Sequence, residues 1–187
     1  MTSYGAKDLA RSFRTVRNNT ITIAQEIPED KYGFAPAAGC RTVAQTLTHI
    51  ACITRIPTQV HFTERRTSLE GFDFMSAMGA LKAEEGTHRG KEQILQLLRS
   101  EGDKFAALLE GATDQFLAEQ VSFPAQMGEL PKTRFEMLLS PKEHEMHHRG
   151  QLMVVERMLG ITPHLTRQMD ERIAAMQAQM KQSGAGR

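Results

Sequence analysis

The chain has 187 residues, of which 40% are hydrophobic and 24% charged, and its formal net charge is +1. This length suffices for one domain with a buried core, whereas the near-neutral charge without a basic run argues against a nucleic-acid surface. No stretch approaches the ~20 consecutive apolar residues that span a bilayer and residues 1–7 lack the apolar run of a signal peptide, so we expect a cytoplasmic protein with neither nucleic-acid nor membrane partners.

The first predicted element is a long amphipathic helix. From Leu9 to Ile27, apolar side chains recur at alternating spacings of three and four residues, the pattern of one buried helix face. Pro28 ends this pattern, and the prolines and glycines of residues 28–41 predict a loop. We therefore expect the first bundle helix to end at about Ile27.

A second helix is expected over residues 43–64. Thr42 and Gln45 have the spacing of a capping box, in which two side chains satisfy backbone N–H groups at the helix start. Pro57 should kink this helix, because proline has no backbone N–H to donate. His49 falls on the inner face that the apolar residues of the helix define.

The middle of the chain carries weaker patterns. Residues 66–83 predict a long connection with at most a short helical turn, and residues 84–109 predict a third helix with one apolar side. Residues 111–131 predict a further loop, which can hold an extended piece around residues 121–123.

The last bundle helix is expected to start at Ser140. Ser140 is a suitable cap, Pro141 suits the first helical position, and Glu143 completes a capping box. The helix should run to Leu159, because Gly160 suits the position just past a helix end.

Beyond this helix, residues 166–182 show a weaker amphipathic pattern, and residues 183–187 are expected to be disordered. The sequence thus predicts an all-α fold, a four-helix bundle with long connections and an additional C-terminal helical tail. We expect the bundle to occupy residues 1–163, and the C-terminal helix with its tail to occupy residues 164–187.

Three histidines are candidate metal ligands. His144 and His148 are one helical turn apart, on a line that continues into aliphatic residues and must therefore face the core. His49 lies on the inner face of another helix. A shared divalent ion would satisfy all three buried rings and leave a coordination position open, as in catalytic zinc sites.

Other side chains near these positions have competing interpretations. An inward histidine such as His49 is, by itself, more often a hydrogen-bonded core residue than a ligand. Gln151 lies on the ligand face and can orient a substrate or simply bond a neighbouring helix, while His147 points toward the edge of that face. Cys52 can approach a metal, but a free cysteine is more often a small buried hydrophobe.

Three further histidines and one pair of charged residues are expected on the surface. His61, His88 and His164 have no ligand spacing, so we expect them on the surface. Glu145 and Arg149 are four residues apart and predict an exposed ion pair on the helix.

Two segments resemble the DinB/YfiT-like superfamily of metalloenzymes. These are Ala44-Gln45-Thr46-Leu47-Thr48-His49-Ile50 in the second helix and, more heavily, His144-Glu145-Met146-His147-His148-Arg149-Gly150-Gln151-Leu152, followed by Leu159-Gly160-Ile161-Thr162-Pro163. The resemblance spans about residues 5–163, and the tail beyond it is longer than the common pattern.

The resemblance implies a four-helix bundle of distinctive connectivity, often a homodimer, in which three histidines hold zinc or nickel. On this sequence those ligands correspond to His49, His144 and His148. Characterised members of the superfamily include thiol-dependent S-transferases and a mycothiol-dependent isomerase.

Several functions therefore compete. The leading hypothesis is a metal-dependent transferase that acts on a small-molecule substrate with a low-molecular-weight thiol, and a metal-dependent hydrolase is a close variant. A non-catalytic metal-binding stress or interaction protein would use the ion to stabilise the bundle. A plain helical dimer would keep the histidines as hydrogen-bonded core residues.

Overall fold

The computed structural model describes residues 4–184, with side chains through Lys181. It is a four-helix bundle with short additional elements in its connections, as predicted. In chain order the helices are α1 (Ala6–Glu26), α2 (Val43–Cys52), α3 (Arg55–Pro57), α4 (Phe74–Gly86), α5 (Lys91–Glu110), α6 (Asp114–Ala118), α7 (Arg134–Met158) and α8 (His164–Gly184). Helices α1, α2, α5 and α7 form the bundle: α1 packs on α5 and α7, and α2 packs on α5, α4 and α7.

Helix α1 matches its prediction. It begins after Gly5, whose backbone N–H donates to the Asp8 carboxylate at 3.1 Å. Its apolar face is fully buried at Ile23 and remains so at Ile27, just past the helix end. Burial of this stripe provides the hydrophobic contribution that holds α1 in the bundle.

Helix α2 has the predicted capping box but is shorter than predicted. The Gln45 backbone N–H donates to Thr42 Oγ1 at 3.2 Å, and the Thr42 N–H donates to Gln45 Oε1 at 2.9 Å. Instead of one kinked helix, the chain breaks at residues 53–54, continues as α3, and ends in a π-helical turn over Thr58–Thr63. Pro57 lacks the N–H that would continue the regular ladder.

The prediction of a long connection over residues 66–83 was wrong in its second half. Asp73 Oδ1 accepts the Ser76 N–H at 2.9 Å and caps α4, so the third bundle helix, α5, begins at Lys91 rather than at residue 84. Helix α4 buries only Leu81, and it therefore lacks the apolar stripe from which a helix is predicted.

The predicted start of the last helix at Ser140 was also wrong. Thr133 Oγ1 accepts the Glu136 N–H at 3.1 Å, so α7 begins at Arg134 and contains Pro141 in its interior. Just before it, strand β2 (Lys132–Thr133) pairs antiparallel with strand β1 (Gln120–Val121), which includes part of the predicted extended piece. Thr133 and Glu136 have the same spacing as Ser140 and Glu143, from which the helix start was predicted, so spacing alone does not distinguish the two starts. Strand β2 ends at Thr133, directly before α7.

The end of α7 agrees with the sequence, since Gly160 adopts a left-handed conformation with φ of +78°. Helix α8 continues through Gly184, so Ser183 and Gly184 are helical where disorder was predicted. The preceding residues favour a helix and contain no proline. Residues 185–187 lie outside the described residues, and the division at residue 163 stays a prediction. Within residues 4–184, no helix is both long and apolar enough to cross a membrane.

Candidate metal centre

The three candidate ligands converge between α2 and α7. His49 lies on the buried face of α2 and is 3% exposed, and His144 and His148 project from adjacent turns of α7. The Nε2 atom of His144 lies 3.3 Å from His49 Nε2 and 3.2 Å from His148 Nε2. One ligand atom from each residue lies within 4.8 Å of the others.

The outer nitrogens of two rings are fixed by hydrogen bonds. His49 Nδ1 donates to Glu85 Oε1 at 2.7 Å, and His148 Nδ1 donates to Gln151 Oε1 at 2.8 Å. A neutral imidazole carries only one N–H. Both rings therefore present an unprotonated Nε2, the form that binds a metal, toward His144.

His144 cannot satisfy both of these lone pairs. A proton on its Nε2 can be donated to one neighbour only, and its Nδ1 is buried without a hydrogen-bond partner. At least one of the two neighbouring Nε2 lone pairs therefore receives no hydrogen bond from His144, which is unfavourable for a buried acceptor unless a cation binds it.

The geometry passes a simple test for a zinc-like ion. Two nitrogens bound at ~2.0–2.1 Å in tetrahedral geometry lie about 3.3 Å apart. The two Nε2 separations of 3.3 Å and 3.2 Å match this spacing. Two of the three pairs of nitrogens thus have the spacing of ligands on one ion, and all three ligand atoms lie within 4.8 Å of one another. The residues present therefore fit a divalent ion, and three protein ligands would leave a coordination position open.

The electrostatic environment keeps these groups in the ligand-competent state. Burial lowers the pKa of His49 and of His148, even though the Glu85 and Gln151 side chains oppose this shift. Burial and the two neighbouring imidazoles lower the pKa of His144 to about 4. Neutral rings are thus favoured near pH 7, and neutral imidazole is the form that coordinates a metal.

Glu85 is a residue of the centre that the sequence analysis missed. Its buried position opposes ionisation, but hydrogen bonds from Arg41 and His49 outweigh that effect and lower its pKa. Arg41 Nε donates to Glu85 Oε2 at 2.7 Å, so the carboxylate is held from two sides. The residue belongs to α4, which was itself not predicted, and its spacing to the histidines carries no motif.

The three other candidate residues lie in different surroundings. Gln151 contacts both His148 and His147, since its Nε2 donates to His147 Nε2 at 3.1 Å. His147 is exposed and lies at the edge of the centre. Cys52 is instead part of the hydrophobic core, and burial raises the pKa of its thiol to about 11. The ligand atoms that lie together are those of His49, His144 and His148, and Cys52 is not among them.

Two of the three histidines predicted to be on the surface are buried. His61 is 2% exposed and its Nδ1 accepts from Arg134 at 3.1 Å, while His164 is 4% exposed and contacts Asn19. His88 is exposed, as expected. The prediction rested on their lack of ligand spacing, which does not determine burial; His61 lies in the π-helical turn and His164 at the start of α8.

The predicted surface pair between Glu145 and Arg149 is also wrong. Glu145 is 1% exposed and binds Arg17 of α1 through both carboxylate oxygens, at 3.0 and 3.1 Å. It lies on the inner face of α7, because α1 packs against that face.

Two cavities adjoin the imidazole centre. One has a volume of about 570 Å³, is lined mostly by apolar side chains and reaches His144. The other, of about 780 Å³, is lined by apolar side chains together with polar groups that include Arg41, His147 and Gln151, and it reaches His148. Molecules can thus approach the two α7 histidines from different cavities.

Comparison with known proteins agrees with this architecture. A family model described as the DinB superfamily matches residues 12–152, most of the chain. The chain belongs to the DinB superfamily. YjoA from Bacillus subtilis is 25% identical over 158 residues, which cover 84% of this chain and 92% of that protein.

Solved structures share the fold. The crystal structure of the DinB-like protein YjoA from Bacillus subtilis has a TM-score of 0.60 at 22% identity, covering 82% of this chain and 93% of that one. YfiT from Bacillus subtilis, described as a probable metal-dependent hydrolase with an unusual four-helix bundle topology, has a TM-score of 0.64 at 17% identity, covering 87% and 91% of the two chains.

Proposed function

We propose that the protein is a metal-dependent transferase that joins a low-molecular-weight thiol to a small electrophilic molecule. His49, His144 and His148 would hold one divalent ion, zinc or nickel. The observation that carries this proposal is the convergence of the Nε2 atoms of three imidazoles, two of which are unprotonated, at a point that two cavities approach.

The role of each residue follows from its contacts. A divalent ion held there supplies positive charge that lowers the pKa of a thiol or of a water molecule. Glu85 orients His49, and Gln151 orients His148, so that both lone pairs face the ion. Arg41 keeps Glu85 ionised and in place.

The proposed reaction is a nucleophilic substitution. The thiol loses its proton to solvent, its sulfur forms a bond to an electrophilic carbon, and the bond from that carbon to the leaving group breaks with the electron pair going to the leaving group. Among the described residues, the carboxylate hydrogen-bonded to the imidazoles is Glu85, and it is already engaged by Arg41 and His49. A nucleophile that is activated without a separate general base suits this arrangement.

Hydrolysis is the second candidate, and the likeness to YfiT favours it. The same three imidazoles would serve, with water in place of the thiol. Both reactions require the ion, so His-to-Ala variants alone cannot separate them.

The test is a nucleophile competition with protein loaded with zinc or with nickel. We would incubate 4-nitrobenzyl chloride with glutathione, cysteine or coenzyme A, and measure loss of free thiol and formation of the thioether. The transferase predicts enzyme-dependent thioether with at least one thiol, abolished in His148→Ala and retained in His147→Ala. Turnover that yields only 4-nitrobenzyl alcohol, with no thiol consumed, would establish hydrolysis instead.

The proposal includes a cytoplasmic location, since the cytosol keeps low-molecular-weight thiols reduced. It also includes a homodimer, the state that the family resemblance implies. Light scattering on the purified protein tests the dimer, and a mass equal to the 20.9 kDa chain would reject it.

A further inference from the structure

The apolar cavity beside His144 has features of a substrate site. Its volume of about 570 Å³ lies within the range of small-molecule sites, ~300–1,000 Å³. Its wall consists mainly of aliphatic and aromatic side chains, and His144 is the member of the imidazole centre that reaches it. An apolar molecule bound there would be adjacent to the proposed reaction centre.

Two helical segments that line this cavity contain a proline. Pro57 is the last residue of α3, directly before the π-helical turn, and Pro141 is in the interior of α7. Neither proline has a backbone N–H, so each segment lacks one hydrogen bond of the helical ladder at the cavity wall. Such interruptions weaken a helix, and π-helical turns occur frequently at functional sites.

The charged residues of the cavity select against anions. Glu129, Glu136 and Glu143 line it, against a single lysine, Lys132. That lysine is engaged, because its Nζ lies 2.7 Å from Glu129 and 5.1 Å from the centre of the Phe123 ring. A carboxylate or sulfonate entering the cavity would meet uncompensated negative charge.

Helix α4 connects this cavity to the metal centre. Phe74 and Met78, one turn apart on α4, are 39% and 44% exposed and line the cavity, and the same helix carries Glu85 to His49. Exposed apolar side chains at the edge of an apolar cavity gain burial when a ligand covers them.

We propose that this cavity binds the hydrocarbon body of an uncharged substrate, an aliphatic chain or aromatic ring, and directs its reactive carbon toward the imidazole centre. The chemistry at that carbon rests on the proposed function, whereas the binding of the apolar body does not. Phe74 and Met78 are the specificity-determining residues in this assignment.

The experiment compares two fluorescent probes on the metal-free and the zinc-loaded protein. N-phenyl-1-naphthylamine is uncharged, and 8-anilinonaphthalene-1-sulfonate is a similar molecule with an anionic group. We expect saturable binding of the uncharged probe and at least tenfold weaker binding of the anion. Phe74→Ser and Met78→Ser should each weaken the uncharged probe at least fivefold.

Met75 provides the matched control. It is also a methionine of α4 and is 83% exposed, but it does not line the cavity, so Met75→Ser should change probe affinity less than twofold. Equal effects of Met75→Ser and Met78→Ser, equal affinity for the two probes, or no saturable binding would each overturn the assignment.

Failure of this proposal is distinguishable from failure of the proposed function. The titration involves no turnover, so probe binding that is lost in Met78→Ser supports the cavity even if every thiol assay is negative. Conversely, thioether formation by a protein that does not bind the uncharged probe would overturn the cavity assignment alone.

Discussion

Glu145 lies between His144 and His148 in the sequence, yet its carboxylate and their imidazoles belong to two very different buried clusters. The single N–H of Arg17 Nε is shared between the two Glu145 carboxylate oxygens, at 3.0 and 3.1 Å, and Nη2 donates to Oε2 at 3.0 Å. Arg17 Nη1 donates to the Leu98 carbonyl at 2.7 Å and Nη2 also donates to the Ile50 carbonyl at 3.0 Å, so every side-chain nitrogen of the arginine has a partner. This cluster is complete within the chain.

The imidazole cluster is not complete. Its outer nitrogens on His49 and His148 have partners, but the inner Nε2 atoms face one another and His144 Nδ1 has no hydrogen-bond partner. The difference shows how to separate a structural polar cluster from a ligand site, since both clusters are buried and both include residues of α2 and α7. A cluster whose groups satisfy one another stabilises the fold, whereas one left short of partners indicates that something else binds there.

The largest effect should come from breaking the complete cluster. Glu145→Ala leaves the Arg17 guanidinium buried and unpaired, so we expect the free energy of unfolding to fall by about 3–5 kcal/mol. Urea denaturation at pH 7 measures this loss. Glu143→Ala, two residues away and exposed, is the matched control and should change stability by less than about 0.5 kcal/mol. Similar, small losses in both variants would mean that the ion pair is not the structural element described above.

Binding of zinc to the imidazole cluster should stabilise the protein. Zinc at about a thousand times its dissociation constant should raise the free energy of unfolding by about 4 kcal/mol, because the ion binds the folded state. His148→Ala should abolish this gain, and His147→Ala should preserve it, since only His148 points its ring at the other two. Thermal or urea unfolding with and without zinc gives the result. A zinc effect of the same size in both variants would place the ion elsewhere.

A smaller effect is expected from the residue that orients one ligand. Glu85→Gln keeps the shape of the side chain but removes the charge that holds the His49 N–H, so zinc affinity should fall tenfold to a hundredfold. The neighbouring Glu84→Gln is the control, because Glu84 pairs with Arg55 and Arg89 instead. Competition with a chromophoric chelator measures both affinities. Equal affinities for the two variants would remove Glu85 from the metal centre.

Sequence periodicity was sufficient for the bundle and for the direction of the three histidines. His144 and His148 share a line with aliphatic residues, and His49 shares a face with others, so their inward orientation followed from the helical period. It was not sufficient for Glu145, because the same period places it at the boundary between the two faces. What buries it is Arg17 on α1, a contact between residues 128 positions apart.

Other parts of the site depended on packing that a single sequence does not encode locally. A Cβ at Gly102 of α5 would lie 2.9 Å from Arg17 Cγ, so this glycine leaves the space that the arginine uses. Glu85 reaches His49 from a helix with a single buried residue, Leu81, and no apolar stripe. In both cases the relevant partner is on another helix, and neither spacing nor composition points to it.

The smallest of these effects concerns a second buried glutamate on α7, which has no counterpart to Arg17. Glu156 is fully buried and neither carboxylate oxygen has a hydrogen-bond partner. Burial and the nearby Glu26 raise its pKa to about 7, although Arg167 and Arg157 act in the opposite direction.

The sign of its pH dependence follows from this shift. A carboxyl group whose pKa is higher in the folded state than in the unfolded state binds its proton more tightly when folded, so its contribution to stability is lost as the pH rises from about 4.5 to about 7. Glu156→Gln cannot ionise, and it should therefore be more stable than the parent by about 1–2 kcal/mol at pH 8 and nearly equal to it at pH 5. Urea denaturation at the two pH values measures the difference.

Glu145→Gln is the control. It should be less stable than the parent at pH 8, because the substitution removes the negative charge that pairs with Arg17. If Glu156→Gln were instead destabilising at pH 8, its carboxylate would be ionised and paired, and the contrast between the two glutamates of α7 would not hold.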